Sequence, residues 1–373
     1  MTGGPVPAAA PAVSEACPVT RPSVSVVIAA YATKRWAETR AAVASVRAQT
    51  LQPLEIVIVI DHNPGLLARA RREFTAGRPA TGTRGAAAIS VIANARDRGA
   101  SGARNTGVAA SHGDVVAFLD DDAVASAGWL EGLLRHFADP AVVGTGGHVI
   151  PLWGGSRPRW FPPEFYWAVG ASYRGMPDGT AVVRNVWSGN MAVRRIVFDA
   201  IGGFREGFGK VGNRPCPEDT DLCLRAAAGG GRWMYEPAAL CGHRVPPQRA
   251  TVRYFLSRSL NEGRGKALLA GLQGAAQTTS AERRYTWRVL PAGIGRGVAD
   301  SIRGDLFGVS RSLAIAAGLT LAVAGFVSAR AGGITGRILR GGGRRRRPAA
   351  SPPETCRLAP AAGDEPAVPG TPA

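Results

Sequence analysis

The sequence predicts an α/β fold, with a mainly parallel sheet flanked by helices and a C-terminal helical extension. Three observations carry that prediction. From Ser23 onward, short apolar runs of strand length alternate with longer stretches of helical period. The run Val115 to Leu119 stops abruptly on three carboxylates, Asp120, Asp121 and Asp122. A buried strand that ends this way presents acid at the carboxyl edge of a sheet, where open α/β folds bind ligands. Finally, Leu313 to Ala329 is free of charge between Arg311 and Arg330, and rich in Ala and Gly.

In chain order, Val24 to Ile28 makes the first strand, and Trp36, Thr39, Val43 and Val46 recur at helical spacing across Thr33 to Gln49. Ile56 to Ile60 is a second strand, closed by Asp61. Asn63 then reads as an N-cap with Pro64 at the first helical position. Leu66, Leu67, Ala70 and Phe74 form the buried side of that helix, which Gly77 and Pro79 end. Ile89 to Ile92 is a third strand and Gly102 to Ala110 a helix. After the acid-tipped strand, Ser126 caps a helix lined by Trp129, Leu130, Leu133, Leu134 and Phe137. Strands alternating with helices imply parallel neighbours joined by crossovers. Pro151 to Val186 breaks the rhythm with many aromatics among Pro and Gly, fitting either a lid or platform for a flat ligand or a small satellite core. Order returns over Ser188 to Phe204. Glu218, Asp219 and Asp221 then open a helix carrying Leu222 and Ala226, where acids also complement the macrodipole. A short strand ends near Cys241. Thr251 to Leu269 is a further amphipathic helix, with Val252, Phe255, Leu256, Ser259, Leu260 and Gly263 on one stripe.

The expected organisation is a disordered leader over 1–22 and a domain over 23–270, with halves 23–125 and 126–270. A helical extension over 271–335 and a basic, Pro-rich tail over 336–373 follow. A membrane span needs about 20 apolar residues, so 312–329 suits a span, a helix lying on a membrane surface or a buried Ala-rich helix. Arg344 to Arg347 beside it suit the cytoplasmic, inner face of a cell membrane.

Lys and Arg number 45 against 27 Asp and Glu, a net charge of +18 that fits an anionic partner such as nucleic acid, an acidic membrane or phosphate-bearing substrates. The five cysteines, Cys17, Cys216, Cys223, Cys241 and Cys356, form no CxxC pair. Neither a disulfide framework nor a zinc knuckle is indicated, and reduced intracellular thiols follow. The start lacks a basic n-region and an apolar h-region, so no secretory signal is read there.

The chemistry begins at the three acids. Alternate residues of an extended chain face one way, so Asp120 and Asp122 can share a cation while Asp121 points elsewhere. Adjacent anions repel one another unless something positive sits among them. The reading is a divalent metal with hard oxygen ligands; the plainer alternative is a turn whose Asp residues cap the next helix.

Asp61 ending one strand, Asp120 to Asp122 ending another, the small-residue segment SGNMAVRR and then PED at Pro217 to Asp219 resemble, in this order, the family 2 glycosyltransferases. The resemblance covers roughly Ser23 to Lys266. It implies a GT-A fold that joins a nucleotide-binding half to an acceptor-binding half. It further implies a nucleotide-diphosphate sugar donor held through Mg²⁺ or Mn²⁺. By the same likeness Asp61 contacts base or ribose, and Asp120 and Asp122 manage metal and donor, with Asp121 and Tyr31 also on the donor side. Arg104 and Asn105 in RGASGARNTG lie near the nucleotide or brace the acid loop. Asp219 is the base, with Glu218 beside it, and His243 sits where some relatives give a histidine to the metal. Asn190 shapes the acceptor or sugar pocket, or packs. The segment Ala29-Ala30-Tyr31-Ala32 replaces the family's usual Pro and Asn, His62 stands where a second Asp is frequent, and the QxxRW element of processive synthases is absent. That absence implies transfer of a single sugar. The expected acceptor is a lipid-linked or glycan molecule of the cell envelope.

Two other classes are weighed. Nucleotidyl transfer to sugar phosphates also uses paired acids on a metal, but SVSVVIAAY has no Gly-rich basic loop after the first strand. A nucleic-acid-binding protein is suggested by net charge alone; the arginines are scattered and no binding module is present, so no nucleic-acid partner is expected.

Overall fold

The computed structural model describes residues 21–75, 87–208, 217–273 and 283–331. Its first half is a parallel sheet. Strand β1 (Val24–Ala30) lies between β2 (Glu55–Ile60) and β4 (Val115–Asp120), and β3 (Ala88–Ala93) extends the sheet outside β2. Helices α1 (Trp36–Arg47), α2 (Pro64–Thr75) and α3 (Ala100–Ala109) connect them. Ile28, Ile56 and Ile58 are fully buried, each contributing about 1.5–3 kcal/mol relative to exposure. The Asn63 cap is present, its Oδ1 accepting from the Leu66 amide at 3.0 Å.

The chain runs outward from β1 to β2 and β3, then crosses back to β4 on the other side of β1. That reversal is a topological switch point, and it opens a crevice at the carboxyl ends of β1 and β4. Ala30 pairs with Ile60 and Ala29 with Asp120, so Tyr31, Asp61 and Asp120 leave the sheet at one edge.

The second half is mixed. Strand β8 (Asn190–Arg194) pairs antiparallel with β4. Beyond it come β6 (Val142–Trp153), β9 (Arg232–Val245) and β5 (Ala123–Ala125), with β7 (Ala181–Val183) also against β9. The sheet is thus parallel over its first four strands but carries antiparallel pairs thereafter. Strand β6 escapes a periodicity reading because VVGTGGHVIPLW has neither clean alternation nor a continuous apolar run. Its glycines answer to large neighbours: a Cβ at Gly144 would strike the Trp233 ring. Strand β9 has 14 residues, not the short segment expected before Cys241. Ser126 is not the side-chain cap, because the helix starts later, with Gly128 at the N-cap position. Helix α4 (Trp129–Leu134) begins where the Trp129 amide meets the Ser126 carbonyl at 3.1 Å.

Helices α5 (Arg195–Ala200), α6 (Glu218–Ala227) and α7 (Val252–Gln273) follow. A π-helical turn, Tyr285–Val289, then leads into α8 (Leu290–Ile302) and α9 (Phe307–Ala331). The aromatic stretch is largely core: Phe161 and Phe165 are buried, their rings 5.3 and 5.2 Å from Phe255 of α7. Val252, expected on the apolar stripe of α7, is exposed. Helix α9 has 25 residues of mean hydropathy 1.9 over its most apolar window and is long and apolar enough to cross a membrane, yet a third of that window is buried here. Its small residues permit close packing on α7: a Cβ at Gly263 would strike the Ala322 carbonyl, and one at Gly325 the Leu260 carbonyl. Gly77, Pro79, Cys17, Cys216, Cys356, almost all of the leader and the whole arginine tail lie outside the described residues.

Candidate active site

Strand β4 delivers Asp120 at its last residue, and the turn into β5 carries Asp121 and Asp122. Ala123 pairs with His243 of β9, and the Arg244 amide donates to the Asp122 carbonyl at 2.9 Å. Strand pairing therefore brings together residues more than a hundred apart in sequence. Ligand atoms of Asp120, Asp122 and His243 lie within 4.8 Å of one another. His243 Nε2 is 3.3 Å from Asp122 Oδ1, while its Nδ1 is buried without a hydrogen-bond partner. Two carboxylates and an imidazole, one nitrogen of it unsatisfied, fit a divalent cation of the Mg²⁺ or Mn²⁺ kind. Close approach needs Gly189, whose Cβ would collide with the Asp120 carboxylate.

Asp121 is not part of that cluster and is buried. Arg35, at the entrance to α1, reaches Asp121 Oδ1 at 3.0 Å and Asp122 Oδ2 at 3.1 Å. Burial and the Asp122 charge push the Asp121 carboxyl up to about 7, with Arg35 opposing. Burial acts on Asp122 as well, but the His243 hydrogen bond and charge, with Arg35 and Arg249, outweigh it and hold that carboxyl at about 2. Arg35 was not singled out from sequence. Its position on the first helical turn after β1, at the ligand-bearing sheet edge, is the signal that could have found it.

The second acid pair sits at the start of α6. Glu218 and Asp219 are joined to the first cluster by Arg104 of α3, whose Nη2 is 2.8 Å from Asp120 Oδ1 and whose Nη1 is 4.0 Å from Glu218 Oε1. Burial and the Asp219 charge raise Glu218 to about 8, against the pull of Arg104. Asp219 is raised too, first by burial, with Arg104 and hydrogen bonding from Ser188 opposing. Its Oδ1 and Glu218 Oε2 are both buried without partners. Ser188 is a further residue that sequence reasoning missed.

The remaining expected residues divide. Tyr31 is exposed beneath the Arg35 guanidinium, 5.3 Å from its ring centroid. Asp61 stays at the sheet edge outside the cation cluster, accepting from Asn94 Nδ2 at 2.7 Å and the Gly99 amide at 3.0 Å. Asn105 spends its amide on Phe204, donating to the carbonyl at 2.8 Å and accepting from the amide at 2.9 Å. Asn190 is buried and satisfied: it donates to the His148 and Ala239 carbonyls and accepts from Trp129 Nε1 at 2.7 Å. Both asparagines brace the structure around the site.

Asp219 also lines a cleft of about 760 Å³ with Pro217, Trp167, Tyr173, Arg258 and Lys266. The Asp120, Asp122 and His243 cluster is not among the residues lining it.

The family described as Glycosyl transferase family 2 matches residues 25–202. The glucosyl-dolichyl phosphate glucuronosyltransferase of Haloferax volcanii is 33% identical over 249 residues, 66% of this chain and 77% of that protein. The pre-mycofactocin glycosyltransferase of Mycobacterium tuberculosis is 32% identical over 213 residues, 56% of this chain but only 43% of that relative's length. Among solved structures, a mannosyltransferase from Pyrobaculum calidifontis in complex with GDP-Man and Mn²⁺ shares the fold. Its TM-score is 0.52 at 17% identity, over 83% of this chain and 88% of that one. The chain belongs to the family 2 glycosyltransferases.

Proposed function

We propose that this glycosyltransferase is metal-dependent and inverting. It moves one sugar from a nucleotide-diphosphate sugar to a hydroxyl of a lipid-linked or glycan acceptor of the cell envelope. The observation that carries this reading is Arg104, which touches Asp120 at 2.8 Å and faces Glu218 at 4.0 Å, joining a cation-type cluster to a pair of raised acids.

Asp120, Asp122 and His243 would hold the cation. When bound, it supplies Lewis-acid neutralisation of the charge that grows on the leaving diphosphate. Asp61 and Tyr31, on the same sheet edge, stand on the nucleotide side of that crevice. Arg35 fixes the acid loop and keeps positive charge beside Asp122. Asp219 takes the proton of the incoming hydroxyl; its raised carboxyl makes it a stronger base than an ordinary aspartate once ionised. Glu218, raised to about 8 by burial and the Asp219 charge, stays largely protonated at neutral pH. One base opposite the leaving group gives inversion, an α-linked donor yielding a β-linked product.

The relatives support the acceptor class, since one is named for action on a glucosyl-dolichyl phosphate. Membrane association is supported by apolar side chains of α9 exposed in the structure, Leu313 and Val327 among them, and by the +18 charge. An inner-face location suits both. The test is turnover across a panel of sugar nucleotides with Mn²⁺, with Mg²⁺ or with chelator, and the anomeric configuration of product read by NMR. Turnover that depends on metal and yields a β-product is expected; full turnover in chelator, or an α-product, overturns the reading.

A further inference from the structure

A second cavity, of about 260 Å³, lies between the aromatic stretch and the helical extension. Arg157, Glu164 and Arg174 line it from the aromatic stretch, Arg296 and Asp300 from α8, and Arg311 from α9. It shares no lining residue with the cleft that Asp219 lines. Its α8 and α9 side lies beyond the residues that the family match covers. Helix α8 turns one face to it, since Gly293, Arg296, Gly297 and Asp300 fall at i, i+3, i+4 and i+7. Gly293 lets a carboxylate lie against that face: a Cβ there would stand 2.9 Å from Glu164 Oε1.

The charges around this cavity do not balance. The buried Glu164 carboxylate accepts from Arg296 Nη2 at 2.6 Å, while Arg174 Nη1 stays 3.7 Å away, beyond hydrogen-bond reach. Asp300 is taken by Arg311 at 2.9 Å, and the same guanidinium holds Asp305 at 2.9 Å. Among the described residues no carboxylate pairs with Arg157, whose guanidinium lies 5.6 Å from the Tyr166 ring centroid. With Arg311 set against Asp300, the guanidiniums of Arg157, Arg174 and Arg296 face Glu164 alone. Like charges gathered around one polar space repel until an anion enters. Guanidinium forks suit an oxyanion because each offers paired N–H donors to two oxygens. A water takes about 30 Å³ in the liquid, so the space admits a phosphate group with waters around it.

We propose that this cavity is an oxyanion site, which takes a phosphate group on Arg157, Arg174 and Arg296 and thereby ties α8 and α9 to the aromatic stretch. The site takes no part in sugar transfer. Free phosphate and a lipid headgroup offer the same chemistry. A headgroup has access because Ile302 and Leu306, where α8 gives way to α9, are 82% and 83% exposed.

The first arm of the test is the thermal midpoint of the full chain in chelator, with sodium phosphate or sodium chloride at matched ionic strength. Phosphate is expected to raise the midpoint saturably, as a ligand of the folded state does. Chloride should give only the change that screening gives. Arg157→Gln and Arg174→Gln lie at exposed positions and leave the Glu164 to Arg296 pair in place. Each should raise the phosphate concentration at half-effect by about tenfold. Arg72→Gln, an exposed charge on α2, and Lys266→Gln in the Asp219 cleft should leave that concentration unchanged. An equal response to the two salts, or one that survives both cavity substitutions, overturns the proposal. Loss of the response in Lys266→Gln with none in the cavity variants assigns the anion to the cleft and overturns it as well.

The second arm separates the sources by flotation of the full chain with phosphatidylglycerol vesicles, phosphatidylcholine vesicles being the reference without net charge. A headgroup in the cavity makes Arg174→Gln weaken phosphatidylglycerol binding by more than Arg72→Gln does. Free phosphate makes the two substitutions act alike on vesicles, with only the midpoint response telling them apart. Either pattern keeps the site and names what fills it.

Discussion

The two acid clusters flank one arginine but are held in opposite states. Asp122 sits at about 2 because His243, Arg35 and Arg249 surround it, whereas Glu218 is raised to about 8 because burial and a neighbouring acid act on it with little besides Arg104 to oppose them. The same residue chemistry therefore yields an obligate anion on one side of Arg104 and a proton-exchanging pair on the other. What separates them is the charge beside each, cations around Asp122 and an acid next to Glu218, rather than exposure, which is similar for the two. Environments that drive titratable groups apart in this way are how one site assigns ligand and base roles to carboxylates. Asp121 marks the boundary: one residue from Asp122 and sharing Arg35 with it, its carboxyl is pushed up to about 7 by burial and the Asp122 charge.

That contrast can be broken from either side. The largest expected effect is at the anionic cluster. Asp122→Ala should lower metal-dependent donor turnover by about 10³-fold or more, since a Lewis acid contributes several kcal/mol and each 1.36 is tenfold. Restoration of parent rates by excess Mn²⁺ without loss of maximal rate would show Asp122 to be a weak ligand only. Next in size is the pH profile of transfer. Asp219 must be ionised to accept a proton and its carboxyl is raised, so activity should fall as pH drops through a value above the ordinary aspartate range. A profile flat down to pH 4 contradicts this.

Smaller effects concern stability. A folded state that raises Glu218 favours its neutral form. The stabilisation is complete below the ordinary value of 4.5 and is lost as pH rises through about 8. Glu218→Gln should accordingly flatten the decline of the thermal midpoint between pH 5 and pH 9; an unchanged decline assigns that pH dependence elsewhere. Asn105→Ala, which orphans the buried Phe204 amide and carbonyl, should cost about 1–3 kcal/mol in chemical denaturation. A loss of donor affinity with stability intact would instead make Asn105 a nucleotide contact.

How much of this was written in the sequence follows the same division. The parallel half was legible because its three inner strands are buried on both faces and read as continuous apolar runs, and because Asn63 and Pro64 announce a helix. The second half was not: β6 is built from glycines that yield to Trp233 and Val186, and that complementarity exists only in three dimensions. Asp120 and Asp122 were paired from strand alternation, and they do meet, although Asp122 lies in the turn beyond the strand rather than in it. Bringing His243 to them requires β5 to pair with β9, a three-residue strand with no signal of its own. Asn190 was open to a pocket or a packing role, and its amide is taken up by Trp129, His148 and Ala239, contacts no sequence pattern announces. The packing of α9 was hidden for another reason. Ala and Gly in α9 read as weak membrane character, while their packing role depends on Gly263 of a separate helix.

The measurement that bears most directly on the division of labour is a paired assay of Asp219→Asn. Donor affinity in the presence of Mn²⁺ and the rate of sugar transfer to acceptor would be read from the same preparation. Donor binding close to that of the parent, with transfer reduced by about 10²–10⁴-fold, is the predicted outcome for loss of a general base alone. Transfer at the parent rate, or loss of donor binding in step with transfer, would contradict the assignment of proton acceptance to the α6 pair and metal holding to the sheet edge.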